Sequence, residues 1–118
     1  MAFAVQHVHL KSRDPRQTAQ FYIDNLGAKM TAEIPGRGFR VDLHGLQLNI
    51  TGIIPAQTRE QKYGIEHIAV DTDDYSGTLA KLRSNGARIL EEMTPASGRR
   101  VCFVEAPDGA QIEVLEKV

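Results

Sequence analysis

The chain has 118 residues and a formal net charge of −1, which fits one domain and gives no electrostatic reason to expect binding to nucleic acid or an anionic membrane. No apolar run reaches the roughly 20 residues of a membrane-spanning helix, and the first residues lack the basic flank and apolar core of an export signal. A single cysteine, Cys102, excludes an internal disulfide and fits a reducing compartment, so we expect a cytoplasmic protein.

The first half of the chain predicts a strand, a helix and three further strands. Residues 3–10 form the first strand, and Asp14 and Pro15 supply the cap and the first position of a helix. Apolar residues at helical spacing continue this helix to Gly27, where it ends. The three strands that follow are predicted at residues 29–34, 38–43 and 46–51.

The second half predicts the same order of elements after a polar connector at residues 53–63. Its first strand covers Gly64–Val70, Asp73 and Asp74 offer a helix cap, and Gly86 ends the helix. The remaining strands are predicted near residues 88–92, 99–104 and 110–117.

The two halves match as copies of one module, with His7 on His67. Gly38–Leu43 is aligned with Gly98–Phe103, and four extra residues of the second copy are then placed in the turn before its last strand. We therefore predict an α+β fold in one domain, residues 1–118, with two tandem βαβββ modules that form a curved mixed sheet around a cleft. The first module covers residues 1–52, the connector 53–63 and the second module 64–118.

The histidines of this repeat are the first candidates for function. Strand alternation places His67 on the face opposite Ile68 and Val70, an apolar face that needs covering. One such histidine fits a structural role as well as a ligand or a base. Its repetition at His7 favours a functional pair, and His9 shares the face of His7.

Four stretches carry a resemblance to a known family, and together they cover essentially the whole chain. They are Gln6–Leu10, Phe21–Tyr22 with Leu26–Gly27, Ile65–Val70 and Ala106–Val114. In this order they resemble the vicinal oxygen chelate superfamily, which includes glyoxalase I, extradiol dioxygenases, methylmalonyl-CoA epimerase, and the fosfomycin and bleomycin resistance proteins.

The resemblance implies a metal site at four equivalent strand positions, which here are His7, Asn49, His67 and Glu113. Imidazole and carboxylate are accepted readily by divalent metals. We expect His7, His67 and Glu113 to bind one divalent ion, Fe, Mn, Ni or Zn. Related proteins often have glutamate or glutamine where Asn49 stands, and the shorter asparagine is expected to contact substrate or a metal-bound water.

Three further residues are expected near the substrate. His9 is assigned to substrate contact or to support of the ligands, and Phe103 to the pocket lining or to apolar packing. Arg100, aligned with Arg40 of the first copy, is a candidate for an anionic substrate or for a solvated strand edge.

The resemblance implies a metal-dependent enzyme that coordinates vicinal oxygens of a small-molecule substrate, by lyase or isomerase chemistry or as a dioxygenase. Glu113 would transfer the proton in the first case. A metal-free binding protein of the bleomycin-resistance type and a fosfomycin-resistance-like enzyme remain as alternatives. A twofold homodimer is also expected, as in many relatives.

Overall fold

A computed structural model describes residues 2–118, in which a strand, a helix and three strands occur twice in the same order. This confirms the α+β class and the two βαβββ modules. The helices are α1 (Pro15–Leu26) and α2 (Tyr75–Ser84). The strands are β1 (Phe3–Lys11), β2 (Lys29–Ile34), β3 (Gly38–Leu43), β4 (Leu46–Thr51), β5 (Gly64–Thr72), β6 (Arg88–Met93), β7 (Val101–Glu105) and β8 (Gln111–Glu116).

Both helices begin at the predicted aspartates. The Asp14 carboxylate accepts the backbone N–H of Gln17 at 3.1 Å, and the Asp74 carboxylate accepts that of Gly77 at 3.0 Å. Each bond satisfies one of the backbone donors that a helix start leaves without a helical partner. Gly27 ends α1 with a φ of 72°, a left-handed conformation that glycine adopts without steric cost.

The chain divides into two compact units. The N-terminal unit is His7–Glu66, and the C-terminal unit combines the chain up to Gln6 with His67–Val118. The border therefore falls inside β1, and the connector belongs to the N-terminal unit. Neither helix among residues 2–118 is long and apolar enough to cross a membrane.

The N-terminal unit has the strand order β2-β3-β4-β1. β1 and β4 are parallel, whereas the two pairings that involve β3 are antiparallel. Helix α1 packs on one face of these strands and completes an apolar core. The buried core residues are Leu10, Ala19, Ala28, Phe39, Val41, Leu48 and Ile50.

The C-terminal unit has the order β5-β8-β7-β6, with β5 and β8 parallel. One face packs against α2 through Tyr75, Cys102, Val104 and Val114. The other face carries a second buried cluster of Ala69, Val101, Phe103 and Leu115. On β5 the buried face is that of His67 and Ala69, while Ile68 is 42% exposed, so the expectation that the Ile68 face is the covered one is wrong at that residue.

The strand register corrects one part of the repeat alignment. Ile34 pairs with Gly38 across residues 35–37, whereas Met93 pairs with Val101 across residues 94–100. Four extra residues of the second copy therefore precede β7, and only one extra residue lies in the turn after it. The sequence alignment placed Gly98 and Arg100 opposite the glycine and arginine of β3, but both residues belong to the longer connection before β7.

The corrected register changes which residues are equivalent. Arg40 pairs with Asn49, and Phe103 pairs with Glu113. Since Asn49 and Glu113 are repeat partners, the counterpart of Arg40 is Phe103. The proposed equivalence of Arg40 and Arg100 is wrong.

Candidate functional site

Two buried histidines stand side by side on β1 in the N-terminal unit. His7 and His9 are separated by one residue, so strand alternation puts both on one face. They are 5% and 8% exposed, and their ring centroids lie 5.6 Å apart. Each buried imidazole, like that of His67 in the other unit, offers a nitrogen of the type that divalent metals accept.

His9 belongs to a buried polar network with Thr51 and Lys11. His9 Nε2 lies 2.7 Å from Thr51 Oγ1, and Lys11 Nζ donates to the same oxygen at 3.2 Å. The Thr51 hydroxyl donates to the carbonyl oxygen of Gly52 at 3.1 Å. Because that hydroxyl has one proton, this arrangement favours the Nε2–H tautomer of His9, whose Nδ1 then keeps its lone pair.

Asn49 lies on β4 beside His9, to which it is paired in register. Its Oδ1 accepts a hydrogen bond from Gln47 Nε2 at 3.0 Å, and the residue is buried. Gln47 stands two residues earlier on the same strand face, which explains why its amide reaches Asn49. The side-chain oxygen that a metal would use is therefore already engaged.

The C-terminal unit brings His67 of β5 and Glu113 of β8 together. His67 Nε2 lies 3.3 Å from Glu113 Oε1, and both side chains are largely buried. Two donors that share one ion at about 2.1 Å each lie about 3.0–3.4 Å apart for angles between 90° and tetrahedral. The imidazole–carboxylate pair thus fits a divalent metal both in spacing and in donor chemistry.

The residues around this pair explain its geometry. Glu113 is in register with Ala69 on one side and with Phe103 on the other. The methyl group of Ala69 leaves space for the carboxylate to reach His67. The fully buried ring of Phe103 meets the His67 imidazole edge-on, with centroids 5.1 Å apart and an interplanar angle of 87°, and so supports its orientation.

The two units carry different residues at two equivalent positions of the repeat. His9 of the N-terminal unit corresponds to Ala69, and Asn49 corresponds to Glu113. A large imidazole therefore occupies the space that the alanine leaves open in the other copy. This difference explains why the Glu113 carboxylate approaches its histidine, while the Asn49 amide is bonded to Gln47.

Arg100 is held by acid and hydroxyl groups of its own unit. It bonds Glu116 through Nε at 3.2 Å and through Nη2 at 2.7 Å, and Nη1 donates to Ser76 at 2.9 Å. Its guanidinium also lies over the Tyr75 ring, 4.8 Å from the centroid. The hydrogen bond with Glu116 raises the pKa of Arg100 and lowers that of the Glu116 carboxyl.

Other titratable residues have structural surroundings. Burial raises the pKa of the Cys102 thiol, as expected for an inert side chain in an apolar strand, and burial also raises the pKa of Tyr75. His44 is exposed at its hairpin turn, with Nε2 2.6 Å from the carbonyl oxygen of Leu26. Glu66 forms a buried ion pair with Arg59 at 2.7 Å.

Sequence reasoning missed the positions of Arg40 and Lys11. Arg40 shares the Asn49 face once the register of β3 is known. Lys11 follows His9 at the alternating spacing, from which its face could have been predicted. Its burial could not, because lysine is almost never buried.

Comparison with known proteins identifies the family. The family model of the Glyoxalase/Bleomycin resistance protein/Dioxygenase superfamily matches residues 4–114. A lactoylglutathione lyase of Escherichia coli O157:H7 is 29% identical over 124 residues, covering 94% of this chain and 90% of that protein.

Two solved structures share the fold. A hypothetical protein from Bacillus halodurans C-125 has a TM-score of 0.78 at 17% identity, covering 100% of this chain and 96% of that one. Methylmalonyl-CoA epimerase from Mycobacterium tuberculosis has a TM-score of 0.73 at 20% identity, covering 97% and 87%. With a family model that spans nearly all of its length, the chain belongs to the glyoxalase/bleomycin resistance protein/dioxygenase superfamily.

Proposed function

We propose that the protein is a metal-dependent lyase or isomerase that acts on a small carbonyl compound. The observation that carries this proposal is the approach of His67 Nε2 and Glu113 Oε1 to 3.3 Å in a largely buried setting. Burying two ionisable side chains costs free energy, because they lose their contacts with water, whereas two apolar side chains would pack on this strand face without that loss. A bound cation would compensate for this cost.

The proposed ligands of one divalent ion are His7, His67 and Glu113. His7 is buried and is the repeat partner of His67, so it brings the same type of donor from the N-terminal unit. Its neighbour His9 is bonded to Thr51 and is assigned to substrate contact or to support of the ligands. Fe, Mn, Ni and Zn all accept this combination of imidazole and carboxylate donors.

Asn49 is proposed to stay outside the metal coordination. Its oxygen already accepts from Gln47, which fixes the orientation of the amide and uses one of its two lone pairs, and a neutral amide oxygen is a weak ligand. Three protein ligands would then leave several positions for substrate oxygens.

A bound divalent ion would act as a Lewis acid on a substrate carbonyl and stabilise negative charge that develops on its oxygen. Glu113 is proposed to accept the proton from a hydroxyl-bearing carbon next to that carbonyl and to return it to the former carbonyl carbon. The hydroxyl proton passes to the former carbonyl oxygen, so that the carbonyl group moves by one carbon. Its carboxylate has two oxygens, so one can remain directed at His67 while the other faces the proton. General-base assistance of this kind contributes about 10²- to 10⁴-fold to a rate.

The lyase reaction is favoured over dioxygenase chemistry by the relatives named lactoylglutathione lyase, which match over more than nine-tenths of the chain. The corresponding activity assay is the formation of S-lactoylglutathione from methylglyoxal and glutathione. A catechol substrate, tested with the Fe(II)-loaded protein, covers the dioxygenase alternative.

Metal content is the decisive experiment. The protein is purified without added metal, reconstituted with Ni²⁺, Zn²⁺, Mn²⁺ or Fe²⁺, and analysed by mass spectrometry of the metals. One ion per chain is expected for the wild type, and His67→Ala should lose at least nine-tenths of it. His44→Ala is the matched control, because His44 lies exposed at a turn, and it should bind as the wild type does.

Two results would contradict the proposal. Full occupancy in a folded His67→Ala variant would remove His67 from the ligands. A wild-type protein that binds no metal after reconstitution, yet binds small molecules, would instead support the metal-free alternative of the bleomycin-resistance type.

A further inference from the structure

Three side chains form a row across three strands of the N-terminal unit. Arg40 on β3 pairs with Asn49 on β4, and Asn49 pairs with His9 on β1. Residues directly opposite one another on paired strands share a face. Neighbouring strands are about 4.8 Å apart, so the backbone of Arg40 lies about 10 Å from that of His9, with Asn49 between them.

The guanidinium of Arg40 is exposed and has no acidic partner within residues 2–118. The aspartate on the same face of its strand, Asp42, accepts the backbone N–H of Gly45 at 2.9 Å and caps the hairpin turn. Two other arginines do have acidic partners, Arg59 with Glu66 and Arg100 with Glu116. Arg40 therefore presents five N–H donors to solvent from a rigid strand.

Asn49 adds a donor beside this guanidinium. Its Oδ1 is occupied by Gln47, which orients the amide and leaves the Nδ2 hydrogens to donate. The face thus offers hydrogen-bond donors and positive charge together, which complements an anion.

The equivalent row of the C-terminal unit has a different character. Phe103, Glu113 and Ala69 replace Arg40, Asn49 and His9, in that order. An anionic group would meet an aromatic ring and a carboxylate there, so of these two equivalent rows only the one in the N-terminal unit suits an anion.

We propose that Arg40, together with the Asn49 amide, binds a carboxylate of the substrate and selects carbonyl compounds that carry one a few bonds from the reacting carbon. The planar guanidinium matches a carboxylate with two parallel hydrogen bonds, a geometry that lysine lacks. This assignment rests on the proposed function, because it concerns a substrate whose carbonyl group is held beside His7. Arg40 then determines specificity and takes no part in proton transfer.

The test uses 2-oxoglutarate and 2-oxopentanoate as probes. Both are five-carbon 2-oxo acids, and they differ in the second carboxylate at the far end. Dissociation constants are measured on the metal-free protein by NMR titration, following the Asn49 side-chain amide and the Arg40 Nε–H signals, and on the metal-loaded protein by calorimetry. The variants are Arg40→Gln and Arg40→Lys, with Arg37→Gln in the adjacent turn as the matched control.

The wild type and Arg37→Gln are expected to bind 2-oxoglutarate at least tenfold more tightly than 2-oxopentanoate. Arg40→Gln should reduce this ratio to below threefold, and Arg40→Lys should give an intermediate ratio. A wild-type ratio below threefold, absence of binding for both probes, or an unchanged ratio in Arg40→Gln would overturn the proposal.

The proposed function and the role of Arg40 can be refuted separately. A protein without metal affinity would refute the proposed function, whereas the probe ratio of the metal-free protein would still decide the role of Arg40. Normal metal content with no preference between the probes would refute the role of Arg40 alone.

Discussion

The buried ion pair between Arg59 and Glu66 gives a prediction with a calculable size. Their side chains are 1% and 2% exposed, and Nη2 of Arg59 lies 2.7 Å from Oε1 of Glu66. Glu66 also accepts the backbone N–H of Lys62 at 3.0 Å, and Arg59 also donates to Gln57 at 3.0 Å. The pair therefore holds the connector against the start of β5, immediately before His67.

Replacing Glu66 by glutamine keeps the side-chain shape but removes the negative charge that lies 2.7 Å from the buried guanidinium. Removing one partner of a buried pair costs about 3–5 kcal/mol. With about 2.1 cal/mol/K of unfolding entropy per residue, 118 residues give roughly 250 cal/mol/K, so the melting temperature should fall by about 12–20 °C.

The assay compares thermal and urea unfolding of Glu66→Gln with Glu92→Gln. Glu92 pairs with Arg83 at 2.6 Å, but these side chains are 47% and 54% exposed, so its loss should cost less than about 1 kcal/mol. The double variant Arg59→Met/Glu66→Leu, which removes both charges, should be more stable than Glu66→Gln. A Glu66→Gln melting temperature within 4 °C of that of Glu92→Gln would refute the reasoning.

Four further predictions concern the site, the surface and the assembly. In the metal-loaded protein, Glu113→Gln should lower turnover by about 10²- to 10⁴-fold, and a change below tenfold in the S-lactoylglutathione assay would exclude its role as base. Asn49→Ala should change the metal dissociation constant less than tenfold in competition titrations, because Gln47 holds the amide oxygen; a larger loss in a folded variant would indicate direct coordination. Because Arg100 lowers the pKa of Glu116, the stability from this pair is complete above the unfolded-state pKa of a glutamate and is lost as pH falls through the lower folded-state value. Urea midpoints of wild type and Glu116→Gln should therefore converge on acidification, and a constant difference would contradict this. A homodimer remains a prediction, and sedimentation of a monomer at micromolar concentration would exclude an obligate dimer.

Local signals in the sequence were sufficient for the elements. Asp14 with Pro15 marks the start of α1, and Gly27 marks its end, because caps act through bonds to the nearest backbone groups. The repeat then identified His7 and His67 as equivalent, and both lie on strands as expected, where they are buried. These inferences depend on contacts between neighbours in sequence or on a direct match of two copies.

The register of β7 required information that the sequence lacks. The turns before and after the third strand of each module differ in length between the two copies. Sequence alignment alone cannot decide which turn holds the extra residues, because glycine and arginine occur both in β3 and in the connection before β7. Strand pairing decides it, since Phe103 stands opposite Glu113 and Arg40 opposite Asn49. The incorrect alignment placed Arg100 at the position that Phe103 occupies, and so assigned a cation to the site where the structure has an aromatic ring.

The border inside β1 has a consequence for dividing the protein into parts. Residues up to Gln6 group with His67–Val118, and within that unit the N–H of Ala2 donates to Asp73 at 2.7 Å, while the N–H of Asp73 donates to the Ala2 carbonyl at 3.2 Å. A fragment that starts at His67 would be an incomplete unit, because it lacks the strand segment that ends at Gln6. The second repeat therefore cannot be exchanged between relatives by itself: residues 2–6, or an equivalent strand, have to be transferred with it.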